Sequence, residues 1–222
     1  MPYRLIIFDL DGTLSDSFPW FLSVISAVAD KHGLARIDDV ETMRGKTTRE
    51  IIAALNVPRW RLPWIARDMR KLKSQSLQKV PLFPGVPELL SALVHDGLTL
   101  AVVTSDSEDN ARRALGSCAA LIAHLACGAS LFGKARKFKQ VMRAAGIPAE
   151  ATLAIGDEVR DAEAAKAAGI DFAGVAGGYA TVEALVKTDP VTIFAQVREI
   201  PEWLCRRSQC PRDTRNITRG QS

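Results

Sequence analysis

The chain has 222 residues, of which 47% are hydrophobic and 24% charged, and its formal net charge is +4. This composition is ordinary for a soluble globular protein, and no apolar run approaches the roughly 20 residues that a membrane-spanning helix needs. The excess positive charge lies in the last seventeen residues, which hold five arginines and one acid, Asp213. We therefore predict a disordered basic tail over 205–222 on a nearly neutral body, and no nucleic-acid or membrane partner.

The cysteines and the N-terminus indicate the cellular compartment. Cys118, Cys127, Cys205 and Cys210 show no metal-binding spacing. No secretory signal precedes the first predicted strand, so we expect reduced thiols and a cytoplasmic protein.

The first predicted element is the apolar run Leu5-Ile6-Ile7, which leads into Phe8-Asp9-Leu10-Asp11-Gly12-Thr13-Leu14. A short apolar run that ends in a turn-forming Asp-Gly predicts a buried central strand, with an exposed turn as the alternative. Residues two apart on an extended segment point the same way, so Asp9 and Asp11 converge where this strand ends. Buried carboxylates need a cation, hydrogen-bond donors or water, which makes this point a candidate ligand site.

Residues 16–83 change character and show helical rather than alternating apolar patterns. Three helices are predicted, at Phe18–His32, Thr48–Leu55 and Trp64–Leu77. A basic and aromatic stretch at residues 59–64 leads into the third helix. We expect its Trp60 and Trp64 to pack this segment against the rest of the protein, with a ligand platform as the alternative.

The remaining chain alternates strands and helices. Strands are predicted at Leu98–Val103, Leu121–Cys127, Thr152–Ile155 and Asp171–Val175. Helices are predicted at Val86–His95, Glu108–Leu115, Ala135–Ala145, Asp161–Ala168, Val182–Lys187 and Ala195–Leu204. Strands that are apolar throughout and alternate with helices predict an α/β fold, a three-layer sandwich around a parallel, Rossmann-like sheet. The predicted core is 1–15 with 84–204, and 16–83 forms a small helical cap inserted after the first strand.

Polar residues follow three of the predicted strands, and parallel strands bring them to one edge of the sheet. These residues are Asp9 and Asp11, Thr104 and Ser105, and Asp157 and Asp161. Four carboxylates this close would repel one another, and a hard divalent cation relieves that repulsion most simply. Mg²⁺ fits best, because it binds one or two protein carboxylates together with waters and phosphate oxygens.

These motifs, in this order, resemble the haloacid dehalogenase superfamily, in its group of Mg²⁺-dependent phosphatases with a helical cap. The resemblance covers residues 4–204 and rests on Asp9-Leu10-Asp11-Gly12-Thr13, on Thr104 after an apolar strand, on a lysine before a helix and on Gly156-Asp157-Glu158-Val159-Arg160-Asp161. It implies that Asp9 is the nucleophile and Asp11 the general acid and base.

The resemblance also implies the phosphate-binding groups. Thr104 and the Ser105 backbone would hold phosphoryl oxygens, with Gly12 beside them, and a lysine would neutralise their charge. Lys134 fits the position of that lysine, at the start of a helix after a glycine, and Lys137 is the alternative.

Metal and cap residues complete the predicted site. The implied Mg²⁺ ligands are Asp9, Asp157 and the backbone carbonyl of Asp11, with Asp161 supporting a metal-bound water or the lysine. The cap loop that contains Arg44 and Lys46 could bind an anionic substrate, and a solvated turn is the alternative.

The carboxylate at Asp11 is similar to that of phosphatases and phosphomutases and unlike dehalogenases, which lack this acid. The resemblance therefore predicts an enzyme, a phosphatase that acts on a small phosphorylated metabolite of the phosphoglycolate type through an aspartyl-phosphate. A β-phosphoglucomutase-like sugar phosphomutase and a non-catalytic binding module are the alternatives. Either a monomer or a homodimer is expected.

Overall fold

A six-stranded, all-parallel sheet forms the centre of the protein in the computed structural model, which describes residues 3–35, 39, 44–46, 48–76, 80–129 and 133–209. The strand order is β3-β2-β1-β4-β5-β6. The strands are β1 (Leu5–Phe8), β2 (Thr99–Val103), β3 (His124–Ala126), β4 (Thr152–Gly156), β5 (Asp171–Val175) and β6 (Thr192–Phe194). The predicted α/β class with a parallel sheet is confirmed.

Strand β1 is central because every one of its side chains is apolar and fully buried. It pairs with β2 on one side and with β4 on the other, in the registers Leu5↔Thr99 and Leu5↔Thr152. Its alternate residues divide between two hydrophobic clusters, one on each face of the sheet: Ile6 and Phe8 belong to one, and Leu5 and Ile7 to the other. A strand buried on both faces requires a covering layer on each.

Helices provide those two layers. The helices of the core are α4 (Val86–His95), α5 (Glu108–Leu115), α6 (Lys134–Ala145), α7 (Val159–Ala168), α8 (Val182–Val186) and α9 (Ile200–Gln209). Helices α4, α5 and α9 contribute apolar residues to the first cluster, and α6, α7 and α8 to the second, which gives the predicted three-layer sandwich. No helix in the described part of the chain is both long and apolar enough to cross a bilayer.

The cap segment contributes α1 (Phe18–His32), α2 (Thr48–Ala54) and α3 (Leu62–Ser74). Its two connections to the core run side by side: Asp16 N donates to Pro81 O at 2.8 Å, and Phe83 N to Leu14 O at 2.9 Å. These two hydrogen bonds lie next to the predicted boundaries between core and cap, at residues 15 and 84. In the cap, the His32 ring contacts the Asp68 carboxylate at 3.0 Å and links α1 to α3.

Four expectations differ from the structure, and the last of them concerns the C-terminal tail. Strand β6 was not predicted, because its three residues are too few to show an alternating pattern, and the helix expected at Ala195–Leu204 begins only at Ile200 after a 3₁₀ turn. Trp60 and Trp64 are 67% and 51% exposed, so the expectation that they pack the cap against the core is wrong. An arginine guanidinium lies over each ring instead.

The predicted disordered tail begins too early. Residues 205–209 are the last turns of α9, and Arg207 lies over the Trp203 ring while its Nη1 donates to Tyr3 Oη at 2.9 Å. Residues 210–222 lie outside the described part of the chain.

Candidate active site

The carboxyl ends of β1 and β4 bring the two acidic motifs together. Asp9 directly follows β1 and Asp157 directly follows β4, and the strands are in register at Phe8↔Ile155. The Asp9 backbone N–H extends the pairing by donating to Ile155 O at 2.9 Å. Adjacent parallel strands therefore deliver both carboxylates to the same edge, where open α/β sheets bind ligands.

Three of the predicted acids form a buried cluster. Asp9, Asp157 and Asp161 are 5%, 0% and 1% exposed, and each offers a carboxylate oxygen within 4.8 Å of the others. Asp161 lies in the first turn of α7, where its Oδ2 accepts a hydrogen bond from the Glu158 backbone N–H at 3.1 Å. This capping interaction fixes its second oxygen toward the cluster.

Lys134 supplies the positive charge of the cluster. It is the first residue of α6, and its Nζ lies 2.8 Å from Asp9 Oδ1 and 2.5 Å from Asp161 Oδ1. Burial disfavours the charged amine, but the two carboxylates outweigh it and raise the pKa of Lys134. Of the two candidate lysines, Lys134 is the one that the structure brings to the carboxylates.

The two carboxylate oxygens of Asp9 differ in their contacts. Its Oδ1 contacts Lys134, whereas its Oδ2 is buried and has no hydrogen-bond partner among the described residues. Burial raises the pKa of Asp9 to about 7, although Lys134 acts in the opposite direction. A buried, unpartnered carboxylate oxygen is costly unless a ligand contacts it.

Two glycines make room for the Asp157 carboxylate. Its Oδ1 accepts a hydrogen bond from Thr13 Oγ1 at 2.6 Å, and its Oδ2 from the Tyr179 backbone N–H at 2.8 Å. A Cβ built on Gly12 or Gly178 would overlap this carboxylate, and Gly12 also has a φ of +83°, which favours glycine. Burial, followed by the charge of Glu158, raises the pKa of Asp157.

These residues fit a divalent cation. Three buried carboxylates against one ammonium group leave two negative charges, which one divalent ion would neutralise. The oxygen-only donor set suits a hard ion such as Mg²⁺, and the unpartnered Asp9 Oδ2 indicates that a ligand contacts this cluster. Asp161 already has partners on both oxygens, Lys134 and the Glu158 N–H, so its contacts agree with the expected support of the lysine.

Asp11 lies apart from this cluster, in contact with a cap residue. Lys73, near the end of α3, is 4% exposed, and its Nζ donates to Asp11 Oδ1 and lies 2.7 Å from Asp106 Oδ2. Ser15 Oγ also donates to Asp11 Oδ1, at 3.3 Å. The two carboxylates raise the pKa of Lys73 against the effect of its burial, so the cap inserts a cation into the core.

The other predicted phosphate-binding residues divide between two places. Thr104 is buried after β2, and its Oγ1 accepts from the Asp106 N–H at 3.0 Å, while Ser105 faces the space under the cap. Arg44 instead donates to Gly178 O at 2.8 Å and lies over the Phe18 ring.

A cavity of about 780 Å³ lies between core and cap and reaches Asp11. Its cap side is formed by Trp20, Phe21, Leu62, Pro63, Ile65, Ala66, Met69, Arg70 and Lys73. Its core side is formed by Asp11, Ser105, Asp106, Gly128, Ala129, Glu158, Arg160 and Tyr179. Among the residues that the structure describes, neither Arg44 nor Lys46 contributes to its wall.

Comparison with known proteins places the chain in a family. Residues 6–175 match the haloacid dehalogenase-like hydrolases. The chain belongs to that family. A phosphoglycolate phosphatase of Synechococcus elongatus is 30% identical over 191 residues, covering 84% of this chain and 90% of the relative. An N-acetylmuramic acid 6-phosphate phosphatase of Pseudomonas aeruginosa is 28% identical over 81% of this chain and 84% of its own.

Solved structures of haloacid dehalogenase-like proteins share the fold. A predicted phosphatase from Clostridium acetobutylicum superimposes with a TM-score of 0.75 at 20% identity, covering 93% of this chain and 100% of that one. The family resemblance inferred from the motifs is confirmed, and so is the enzyme class, a phosphatase of this family.

Sequence reasoning missed Lys73 as a contributor to the site of this hydrolase, and it favoured a simple turn at residues 177–179 over a loop near the site. Lys73 continues the apolar stripe of α3 formed by Leu62, Ala66 and Met69, and a lysine at such a position was the available signal. The loop Gly177-Gly178-Tyr179 reads as a simple turn after a strand, yet its backbone holds Asp157 and its tyrosine lines the cavity.

Proposed function

We propose that the protein hydrolyses phosphomonoesters with Mg²⁺, through an aspartyl-phosphate on Asp9. The observation that carries this proposal is the buried Asp9 carboxylate, whose Oδ2 is unpartnered while Lys134 contacts its Oδ1. The lysine orients the carboxylate and leaves one oxygen for phosphorus. Asp11, two residues further on, borders the cavity into which the alcohol part of a substrate would project.

In the first step, Asp9 Oδ2 attacks phosphorus and a new O–P bond forms. The bond from phosphorus to the substrate's alcohol oxygen breaks, and Asp11 gives its proton to that oxygen, so that a neutral alcohol leaves. Lys134 offsets the negative charge on Asp9 and on the phosphoryl oxygens, and Thr104 and the Ser105 backbone bind these oxygens at the end of β2.

In the second step, Asp11, now a carboxylate, takes a proton from a water molecule. The water oxygen attacks phosphorus, the Asp9–phosphorus bond breaks, and inorganic phosphate leaves with Asp9 regenerated. Lys73 donates to Asp11 Oδ1 and holds this side chain at the cavity wall.

Asp9, Asp157 and the Asp11 backbone carbonyl would hold Mg²⁺, with Asp161 behind them. The bound ion would neutralise negative charge on the phosphoryl group, so that this group could approach the anionic nucleophile. The buried excess of negative charge supports this assignment.

The names of the relatives support a small phosphorylated metabolite and make 2-phosphoglycolate the first compound to test. Cytoplasmic location, oligomeric state and the absence of nucleic-acid or membrane partners stay predictions from the sequence.

The experiment is phosphate release from p-nitrophenyl phosphate and a panel of metabolite phosphates, with Mg²⁺ and with EDTA. We expect metal-dependent release by the wild type and a loss of more than about a thousandfold in Asp9→Asn, because the amide cannot form the covalent intermediate. Glu163→Gln, an exposed change of the same kind on α7, is the matched control.

Two results would contradict the proposal. Release that survives in Asp9→Asn would identify a contaminant or a different nucleophile. A sugar-phosphate isomer that appears without free phosphate would identify a phosphomutase.

A further inference from the structure

The cavity between core and cap has two chemically different sides. The side formed by α1 and α3 is mainly apolar, with two aromatic rings, Trp20 and Phe21, and the aliphatic side chains of Leu62, Ile65 and Met69. The core side carries most of the polar groups, among them Asp11, Asp106 and Glu158, while the cap side adds Arg70 and Lys73 near its edge with the core. If Asp11 protonates the leaving alcohol, the carbon skeleton of that alcohol must occupy the space beneath the apolar side.

The volume of the cavity exceeds the needs of a two-carbon acid. About 780 Å³ lies within the range of roughly 300–1,000 Å³ that is typical of pockets for drug-sized ligands. A phosphoglycolate molecule would leave most of the apolar wall in contact with water, which forgoes the binding free energy that this surface offers. A larger apolar group would cover it.

The cavity wall has no excess of positive charge that would bind a second anionic group of the substrate, in addition to the phosphate. The described lining residues include three acids and three bases. Lys73 contacts Asp11 and Asp106, and the Arg160 Nε donates to Glu158 Oε1 at 2.8 Å. Arg70 Nη1 donates to the Ser105 backbone carbonyl at 3.1 Å. A substrate carboxylate in this cavity would therefore meet Lys73 and Arg160 already paired with neighbouring acids, and Arg70 already donating to a backbone carbonyl.

We propose that the substrate is a phosphomonoester whose alcohol portion is bulky and apolar, recognised by the α1 and α3 side of the cavity. This inference rests on the proposed phosphatase activity and specifies the alcohol portion of its substrate. Phosphate binding at the sheet edge supplies the common part of recognition, and the apolar cap side supplies the selection among alcohols.

The test compares kcat/KM for ethyl phosphate, 2-phenylethyl phosphate and 2-phosphoglycolate in the presence of Mg²⁺. The first two are esters of primary alcohols, so that the intrinsic reactivity of their P–O bonds is similar and the phenyl group is the main difference. Burying an aromatic group of this size favours 2-phenylethyl phosphate by at least about tenfold over ethyl phosphate. We expect the same preference over 2-phosphoglycolate.

A cavity-filling variant locates the selection. Ala66→Phe introduces a ring into the apolar side and should lower the ratio of kcat/KM for 2-phenylethyl phosphate to that for ethyl phosphate by about fivefold or more. Lys71→Phe places the same side chain on the exposed face of the same helix and should leave this ratio unchanged. Thermal unfolding of both variants shows whether each one is folded.

The outcomes separate the two proposals. A kcat/KM for 2-phosphoglycolate or ethyl phosphate that equals or exceeds the value for 2-phenylethyl phosphate would overturn the apolar substrate class. The proposed phosphatase activity would still stand. A preference that Ala66→Phe does not reduce, in a folded variant, would overturn the role of the α3 side chains. No Asp9-dependent release from any of these esters or from p-nitrophenyl phosphate would overturn both.

Discussion

Lys73 and Lys134 show how single cations hold acidic side chains in a dry interior. Lys134 comes from the core and contacts Asp9 and Asp161, whereas Lys73 comes from the cap and contacts Asp11 and Asp106. Each lysine is buried and contacts two carboxylates, of which only Asp11 is partly exposed, so that removing the cation leaves like charges facing each other with little access to water. Such a loss is much more costly than the loss of an exposed ion pair.

Lys73→Met tests this at the residue scale. The Asp106 side chain is 2% exposed, and in this variant its buried negative charge has no cation beside it. We therefore expect the free energy of unfolding, measured in urea, to fall by about 3 kcal/mol. Lys71→Met, an exposed lysine on the same helix, should change stability by less than about 0.5 kcal/mol. Equal midpoints for the two variants would mean that the Lys73 contacts carry no net stability.

At the scale of elements, a network of hydrogen bonds around Tyr3 joins the C-terminal helix to the end of the sheet opposite the site. Tyr3, just before β1, donates from Oη to Asp171 Oδ2 at the start of β5, at 2.5 Å, and accepts from Arg207 of α9 at 2.9 Å. Its ring also stacks on Trp203, with ring centroids 6.4 Å apart. The C-terminal helix is thus tied to two strands, which explains why it continues beyond the predicted end of the core.

The Tyr3 hydroxyl predicts a pH dependence of stability. Burial, followed by the hydrogen bond to Asp171, raises the pKa of Tyr3 from 10.0 to about 12. The folded state therefore holds this proton more tightly than the unfolded state, so the stability it contributes is complete below pH 10 and is lost as the pH rises to about 12.

Tyr3→Phe removes this titration. We expect the difference in unfolding free energy between wild type and Tyr3→Phe to be constant up to pH 10 and to shift against the wild type between pH 10 and about 12. Urea unfolding at several alkaline pH values measures it, and the comparison cancels the titration of groups common to both proteins. A difference that stays constant over the whole range would refute the assignment.

At the scale of the whole molecule, the proposed Mg²⁺ site in the acidic cluster would couple metal binding to folding. Asp9 and Asp157 follow neighbouring central strands and Asp161 begins a helix, so the site exists only when the sheet is assembled. A ligand that binds only the folded state stabilises it by mass action, about 2.7 kcal/mol at a hundred times its Kd.

Mg²⁺ should therefore raise the Tm of the wild type by about 5 °C at saturating concentration. Asp157→Asn, which removes one carboxylate charge from the cluster, should lose most of this increase, and the exposed change Glu163→Gln should keep it. Thermal unfolding with and without Mg²⁺ measures the effect independently of activity. An equal increase in Asp157→Asn would place the bound metal elsewhere.

The sequence by itself determined the parallel sheet, the order of the motifs and the cluster around Asp9 and Asp157. These followed from local patterns, because an apolar run specifies a buried strand and the residue after it lies at the strand's end wherever that strand goes. The helix boundaries at Phe18–His32 and Val86–His95 were likewise local, with proline in the first turn of each.

Only the tertiary structure decided which residues of separate elements meet. Lys134 and Lys137 share a helix face and lie about 4.5 Å apart along the helix axis. Which of them reaches the carboxylates depends on where the helix packs against the sheet. The insertion of Lys73 and the apolar side formed by α1 and α3 depend on how the cap lies over the core. That arrangement is set by packing between segments distant in the chain, which no local pattern records.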